Sequence, residues 1–207
     1  NFNNIETDNS KYKIFIALEP NVISHINNHI KMFREKFDYI LTFDDDLLKL
    51  KNAHLFEYDT KWMREDEYEN VNINNKEFSV SFLCGRKHFT QNHGFRHEIW
   101  KKQSELSIPK KFYVSSFQGA IDDKSNLILG DRKVPLFDSM YHICVENINM
   151  NYYFSEKLID TLLMKTIPIY YGAIKLSDYF NMDSIITFNN FEELIQSFRG
   201  KNPDYVI

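Results

Sequence analysis

The chain has 207 residues, of which 43% are hydrophobic and 15% aromatic, and its 25 basic side chains are outnumbered by 29 acidic ones. This is enough apolar material for the core of one compact domain or two small ones. Six glycines and five prolines without a biased tract exclude a disordered or collagen-like chain. A net charge of -4 does not supply the basic field that nucleic-acid binding normally needs, so local charges would have to hold any anionic ligand.

No stretch approaches the roughly 18 consecutive apolar residues of a membrane span, and the polar start of the chain does not have the apolar centre of a signal peptide. The two cysteines, Cys84 and Cys144, lie in apolar runs of strand-forming residues, which favours buried free thiols over a disulfide. We therefore expect a soluble protein from a cytosol-like, cytoplasmic compartment.

The amino-terminal part alternates short apolar runs with a helical pattern. Residues 13–18 and 39–43 are predicted as buried parallel strands, and the apolar residues between them recur at helical spacing. A charge-dense stretch at residues 61–76 has no apolar period and is predicted as a boundary between two domains, 1–75 and 76–207. Trp62, at the start of this stretch, is interpreted as a packing residue.

The remainder of the chain repeats the alternation more clearly, apart from an irregular segment around Gly119 and Gly130. Strands alternating with helices imply an α/β protein whose parallel sheet is covered on both faces. Such sheets bind ligands at the carboxyl ends of their strands, so the residues directly after each strand are the first candidates for a site. The strands are predicted at residues 78–83, 112–116, 141–145, 167–171 and 184–188, and the helices at 95–106, 156–165 and 191–199.

The residues after the predicted strand 141–145 have the character of an anion site. Glu146 and Asn147 follow the strand, and Ser155 precedes a helix whose first turn contains Lys157. A serine N-cap marks a helix start whose free backbone N–H groups suit an anion such as a diphosphate. The alternative is a surface lysine that is tolerated at a small cost against the helix dipole.

A longer pattern runs through the same region. It reads Tyr-His-Ile-Cys-Val-Glu-Asn at residues 141–147, Tyr-Phe-Ser-Glu-Lys at 153–157 and Ile-Pro-Ile-Tyr-Tyr-Gly at 167–172. With its nine-residue step from Asn147 to Glu156, the pattern resembles the donor-binding signature of the alpha-1,3/1,4-fucosyltransferases, glycosyltransferase family 10. The resemblance implies a GT-B-like α/β fold with two Rossmann-like domains, a complete carboxyl-terminal donor domain for GDP-fucose, and an amino-terminal domain that is short or truncated.

Carried over position by position, the resemblance implies a set of donor-binding residues. Lys157 would contact the diphosphate, Glu156 would bind hydroxyls of the ribose or the sugar, and Asn147 and Tyr153 would line the same pocket. Family members carry a further diphosphate-binding arginine on the helix after the first strand of this domain, and Arg96 occupies the matching place. Without the resemblance, an exposed helical arginine would be the simpler interpretation.

The resemblance also implies a general base upstream. Leu-Glu-Pro-Asn at residues 18–21 resembles the setting of the family's glutamate, which makes Glu19 the candidate catalytic residue. It would accept the proton of the acceptor hydroxyl while an inverting transfer displaces GDP. Arg96 and Lys157 would meet the charge of the leaving group, so no metal and no cofactor are required. A glutamate before a proline is otherwise often a solvated turn residue.

Three consecutive aspartates, Asp44, Asp45 and Asp46, allow a different chemistry. An acidic D-x-D after a strand holds Mn²⁺ and a nucleotide diphosphate in metal-dependent transferases, because hard carboxylate oxygens suit this cation. The same residues also form an ordinary helix start, well placed against the helix dipole.

The predicted function is inverting transfer of fucose from GDP-fucose to a hydroxyl of a galactoside or of a glycan containing N-acetylglucosamine. The partners would be this donor and a glycan acceptor, without nucleic acid and without a membrane segment in this chain. The alternatives are a non-catalytic nucleotide- or sugar-binding module and a transferase that uses a different nucleotide sugar. Only twelve residues precede residue 13, so either the acceptor-side domain is reduced or the chain is part of a longer, multidomain protein.

Overall fold

The computed structural model describes residues 10–57, 61–115, 127–129 and 132–201. Within these residues the chain forms two parallel sheets, one of three strands and one of six. Helices and short 3₁₀ turns connect the strands. No helix in the described part of the chain is both long and apolar enough to cross a membrane. The predicted α/β architecture with parallel sheets is confirmed.

The smaller sheet comes from the amino-terminal part of the chain. Its strands lie side by side in chain order: β1 (Ile14–Ile16), β2 (Tyr39–Thr42) and β3 (Ala53–Leu55). The connection between β1 and β2 contains two helices, α1 (Asn21–Ser24) and α2 (Asn27–Phe33). The small core beside this sheet consists of Ile30, Ile40 and Leu47, all fully buried. The strand β3 was not predicted, because its Ala-His-Leu sequence has no apolar run.

The larger sheet has a strand order that creates a crevice. Numbered in chain order within this sheet, its six strands lie side by side in the order 3-2-1-4-5-6. The first and fourth of them, β4 (Glu77–Cys84) and β7 (Ser139–Val145), are neighbours, and the direction of the strand order reverses between them. At such a switch point the connections leave in opposite directions and open a crevice at the carboxyl ends of the two strands. The strands are β4 (Glu77–Cys84), β5 (Lys110–Ser115), β6 (Leu127–Leu129), β7 (Ser139–Val145), β8 (Ile167–Tyr171) and β9 (Ile186–Thr187).

Four helices accompany the larger sheet: α3 (Glu65–Glu69), α4 (Gln91–Lys101), α5 (Glu156–Leu163) and α6 (Phe191–Gln196). Val80, Phe82, Ile143 and Ile169 form the centre of its core, and full burial stabilises each such side chain by about 1.5–3 kcal/mol. The predicted start of α4 at residue 95 was wrong. Thr90 caps the helix by accepting a hydrogen bond from the His93 N–H at 3.1 Å, and the polar first turn has no apolar period to reveal it.

Direct contacts join the two sheets near the carboxyl end of β2. The Asn151 amide donates a hydrogen bond to the Asp45 carboxylate at 2.9 Å, and the rings of Phe43 and Tyr153 lie 5.1 Å apart between centroids. Both Asn151 and Tyr153 belong to the loop between β7 and α5. The end of the smaller sheet therefore faces the crevice of the larger one.

The charged stretch at residues 61–76 is an ordered connection that contains α3. Its first residues are attached to α5, because the Asp160 carboxylate accepts hydrogen bonds from the backbone N–H groups of Trp62 at 3.0 Å and Met63 at 3.2 Å. Asp160 is 2% exposed, so this attachment is buried. The start of the connection is thereby fixed against α5. The irregular segment predicted around Gly119 and Gly130 lies largely outside the described residues.

Candidate functional site

A cavity of about 260 Å³ lies beyond the carboxyl ends of β4 and β7, at the switch point of the larger sheet. Side chains from both sheets line it. The lining includes all six residues that the sequence analysis selected: Glu19, Arg96, Asn147, Tyr153, Glu156 and Lys157. The fold thus brings together residues that are far apart along the chain, including both predicted cations.

Arg96 lies in the second turn of α4 and reaches across to the end of β7. Its Nε donates to the carbonyl oxygen of Val145 at 3.0 Å, and its Nη2 donates to the same oxygen and to Asn147 Oδ1 at 3.0 Å. Burial lowers the pKa of Arg96 while the Glu146 carboxylate raises it, and a guanidinium stays protonated in either case. Arg96 is therefore a fixed positive charge beside Asn147.

Lys157 lies in the first turn of α5, where a positive charge opposes the helix dipole. Its ammonium donates to Ser155 Oγ at 3.0 Å and to Glu156 Oε1 at 3.0 Å, and it lies 3.6 Å from Glu146 Oε2. The two carboxylates offset the unfavourable dipole and hold the side chain toward the cavity. An anionic ligand would compete with them for the same ammonium.

Glu146 holds the start of α5 in place. Its side chain is fully buried, and its two oxygens accept hydrogen bonds from the backbone N–H of Ser155 at 2.8 Å and from the Ser155 hydroxyl at 2.7 Å. Burial raises the pKa of Glu146, and the nearby Lys157 opposes this shift. The sequence analysis did not assign a role to Glu146, although it directly precedes the selected Asn147.

The close approach of Gly172 keeps Glu146 in this position. Gly172 follows β8, and a Cβ atom added to it would lie 2.5 Å from Glu146 Cγ, a distance that real Cβ atoms do not tolerate. The absence of a side chain at Gly172 therefore leaves the room that the buried Glu146 side chain occupies.

Tyr153 provides a neutral hydroxyl group to the cavity. It is 5% exposed, and burial, together with the charges of Glu146 and Glu19, raises its pKa above the usual range. Asn147 Nδ2 donates a hydrogen bond to the Tyr153 hydroxyl at 3.4 Å. Arg96, Asn147 and Tyr153 thus form a hydrogen-bonded series along one wall.

Glu156 is ionised in this setting, since its pKa lies below its usual range. Burial alone would raise that pKa, but Lys157 and then Lys133 lower it by more. The sequence analysis missed Lys133, which lines the same cavity and stands under the ring of Trp62. Trp62 itself was interpreted as a packing residue, yet it is 52% exposed and lines the cavity.

Glu19 approaches from the smaller sheet, directly before α1. It is exposed, and it lines a second cavity of about 120 Å³ as well as the first one. The two cavities also share Trp62, Tyr153 and Glu156. An exposed carboxylate between two adjoining cavities can accept a proton from a hydroxyl group bound in the second one.

The three consecutive aspartates have partners within the protein. Asp44 Oδ1 accepts hydrogen bonds from the backbone N–H groups of Asp46 at 2.9 Å and Leu47 at 3.2 Å, so it caps a short helical turn. Asp45 accepts from Asn151, and Asp46 pairs with Lys49 at 2.7 Å. This arrangement matches the helix-start interpretation of the motif.

The cysteines confirm one sequence prediction, since Cys84 and Cys144 are free and buried. Burial raises the pKa of each thiol to about 12, so neither is a nucleophile near neutral pH. Within the described ranges, no group of three or more histidine, cysteine, aspartate or glutamate side chains is arranged to hold a metal ion.

Comparison with known proteins gives a structural match without a sequence match. No protein-family model and no curated protein sequence matches the chain. A crystal structure of an alpha1,3-fucosyltransferase matches with a TM-score of 0.58 at 17% identity, covering 90% of this chain and 59% of that one. The fold is similar to that of a fucosyltransferase. The GT-B-like α/β architecture that the sequence resemblance implied is thereby confirmed in part.

Two further alpha1,3-fucosyltransferase structures carry ligands. The structure with GDP matches with a TM-score of 0.58 at 18% identity and covers 89% of this chain. The structure with GDP-fucose matches with a TM-score of 0.57 at 17% identity and covers 92%. The chain spans 59%, 60% and 63% of the length of the three structures.

Proposed function

We propose that this chain transfers fucose from GDP-fucose, with inversion, to a hydroxyl of a galactoside or of a glycan containing N-acetylglucosamine. The observation that carries the proposal is the cavity at the switch point, which receives Arg96 and Lys157 from two helices and Glu19 from the other sheet. Solved structures of the same fold with GDP and with GDP-fucose support this choice of donor.

The chemistry assigns a separate task to each charge. Glu19 takes the proton of the acceptor hydroxyl as its oxygen attacks the anomeric carbon of the sugar from the face opposite the diphosphate. The bond between this carbon and the phosphate oxygen breaks, and GDP leaves with the bonding electron pair. Arg96 and Lys157 stabilise the negative charge that develops on the diphosphate, as preorganised positive charge that lines the cavity.

The remaining residues bind and orient the donor. Glu156 is ionised and accepts hydrogen bonds from hydroxyl groups of the ribose or the sugar, while Tyr153 and Asn147 supply neutral polar contacts in the same cavity. Residues 76–207 form the donor-binding part and residues 1–75 the acceptor side of this proposal. No metal ion has a role in it, because the two cations provide the charge that a metal provides elsewhere.

Thermal unfolding with nucleotides tests the donor site. GDP at about 100 times its Kd should stabilise the protein by about 2.7 kcal/mol and raise Tm, whereas UDP at the same concentration should not. Arg96→Ala or Lys157→Ala should abolish the shift, and Lys101→Ala, on the exposed last turn of α4, should retain it. Equal stabilisation by UDP would indicate a different nucleotide sugar as the donor.

A turnover assay separates an enzyme from a non-catalytic binding module. Release of GDP from GDP-fucose is measured with and without a galactoside or N-acetylglucosamine acceptor, in the presence and absence of EDTA. Acceptor-dependent release that EDTA does not change is the expected result. Binding of GDP without any release would leave the binding module as the function, and inhibition by EDTA would reopen a metal-dependent mechanism through the aspartates.

A further inference from the structure

Lys133 is one of four cations that line the cavity, with Lys87, Arg96 and Lys157, and no local sequence pattern marks it. It directly precedes the 3₁₀ helix Val134–Asp138, which leads into β7. Its side chain lines the same cavity as Arg96 and Lys157, and it arrives from a different part of the chain.

Lys133 differs from Arg96 and Lys157 in how far its hydrogen-bond donors are already used. The Arg96 guanidinium bonds the end of β7 and Asn147, and the Lys157 ammonium bonds side chains at the start of its own helix. Among the described residues, the Lys133 ammonium has neither a hydrogen bond nor an ion pair, and its contact is the face of the Trp62 ring. All three N–H donors of this ammonium are therefore available to a ligand.

Trp62 fixes the position of that ammonium. Its backbone N–H donates to both oxygens of the buried Asp160 carboxylate, at 3.0 and 3.2 Å, so the residue is attached to α5. An ammonium over an indole face is attracted by the ring quadrupole. The cavity thus carries an oriented cation that Trp62 supports, without a direct hydrogen bond to Arg96 or Lys157 among the described residues.

We propose that Lys133 is a third direct contact of the donor's diphosphate and that Trp62 is the residue that positions it. The inference rests on the proposed function and deepens it, because it names a further residue that binds the leaving group. Charge-assisted hydrogen bonds to phosphate oxygens are the strong kind, and a third one would complement the several negative charges of a nucleoside diphosphate.

The charge of Lys133 depends on its surroundings. Burial, followed by the like charges of Lys157 and Arg96, lowers the pKa of Lys133 to about 8, although two carboxylates oppose this. Its contribution to anion binding is then present at pH 7 and declines as the pH rises through about 8. The charged or titratable groups that face the ammonium are Glu156, Lys157 and Asp160 of α5, Arg96 of α4 and His142 of β7.

Titration calorimetry at pH 7 tests the contact with two probes, GDP and inorganic pyrophosphate. Lys133→Met removes the charge and keeps most of the side-chain length, and it should lower the affinity for both probes by about 10-fold to 100-fold. Lys133→Arg keeps the charge and should retain most of the affinity. Lys101→Met is the matched control for loss of one positive charge, and it should bind both probes like the parent protein.

The pH dependence gives a second measurement. Between pH 7 and pH 9 the affinity of the parent protein for GDP should fall by about tenfold, because Lys133 loses its proton in the free protein. The terminal phosphate of GDP has a second pKa of about 6 and remains ionised over this range. Lys133→Arg should not show this fall, since an arginine keeps its charge. A fall of the same size in Lys133→Arg would overturn the assignment.

A double-mutant cycle tests the role of Trp62. Trp62→Leu should weaken pyrophosphate binding by less than Lys133→Met does, and the double variant should bind like Lys133→Met alone, because Trp62 acts through the lysine. A further loss in the double variant would show that Trp62 contacts the ligand itself and would overturn its positioning role.

The outcomes separate this inference from the proposed function. If the parent protein binds GDP and Lys133→Met binds it equally well, the contact is wrong and the proposed function stands. If pyrophosphate binding depends on Lys133 while UDP stabilises as well as GDP does, the contact stands and the choice of donor is wrong. A parent protein that binds neither probe overturns both.

Discussion

The two sheets hold their functional side chains in different ways. In the larger sheet, Lys157 sits in a buried hydrogen-bond network at the start of a helix packed on β7 and β8. In the smaller sheet, Glu19 is exposed and follows the three-residue strand β1, whose Ile14 and Ile16 are 51% and 42% exposed. Precise positioning depends on side chains locked by their neighbours. Under the proposed function, donor binding therefore depends on the more tightly packed part of the molecule, and proton transfer on the lightly packed part.

The largest expected effect separates these two tasks. Glu19→Gln removes the proposed base, so acceptor-dependent transfer should fall by about 10²-fold to 10⁴-fold. GDP affinity should stay unchanged, because the exposed carboxylate is not part of the cation network. The control is Glu35→Gln, an exposed glutamate of the same sheet region, which should transfer at the parent rate. Normal transfer by Glu19→Gln would place the base elsewhere and remove the contrast between the sheets.

A pair of glycine substitutions probes the rigidity of the binding side. Gly172→Ala places a methyl group against Glu146 and the Tyr170 ring, and we expect overpacking to destabilise the protein by about 1–3 kcal/mol. Gly94→Ala is the matched control, because a Cβ there meets open space within α4, and alanine should stabilise the helix by up to about 1 kcal/mol. Urea unfolding measures both changes. Equal effects would show that the carboxylate is not tightly enclosed.

Hydrophobic periodicity predicts which strands and helices are present more readily than it predicts where each of them begins and ends. The strands β4, β7 and β8 are buried on both faces, so they read as continuous apolar runs, and their predicted positions agree with the structure within two residues. β3 escaped prediction because a three-residue strand on a small sheet needs no apolar run. The start of α4 was missed because its first turn is polar and is stabilised by a cap.

The site shows the same division between local pattern and tertiary placement. Asn147 and Lys157 belong to a pattern with fixed spacing, and Arg96 was selected because the family resemblance implies an arginine on its helix. The fold places all three at one cavity. Lys133 lies in an irregular segment and reaches the cavity only through the path of the chain into β7. Trp62 offered one usable signal, because a tryptophan is unusual in a charge-dense, solvated connection.

A buried histidine of the larger sheet should make the stability of the protein depend on pH. Burial lowers the pKa of His142 to about 3, and the side chain lies 2.7 Å from the Ser81 hydroxyl. Unfolding lets this histidine take up a proton near pH 6.5, so the unfolded chain binds more protons between pH 6.5 and 3. Its contribution to stability is lost as the pH falls through that window.

The expected loss is about 2 kcal/mol between pH 7 and pH 5, measured by urea unfolding at both values. His142→Gln should remove this share of the pH dependence. The control is His54→Gln in β3, where the side chain is exposed, and its pH dependence should match that of the parent protein. An unchanged slope in His142→Gln would show that this histidine is protonated within the fold.

The smallest effect concerns helix caps, and it separates stability from binding. Ser155 caps α5 and links Glu146 to Lys157, whereas Asn190 caps α6 by accepting from the Glu193 N–H at 2.9 Å, away from the cavity. Replacement of either cap residue by alanine should lower the free energy of unfolding by about 0.5–2 kcal/mol. Only Ser155→Ala should also weaken GDP binding, because it removes the hydroxyl that donates to Glu146 Oε2 and accepts from the Lys157 ammonium. If Asn190→Ala weakened GDP binding equally, the cap would act through general stability, and the network around Lys157 would have no special part in holding the ligand.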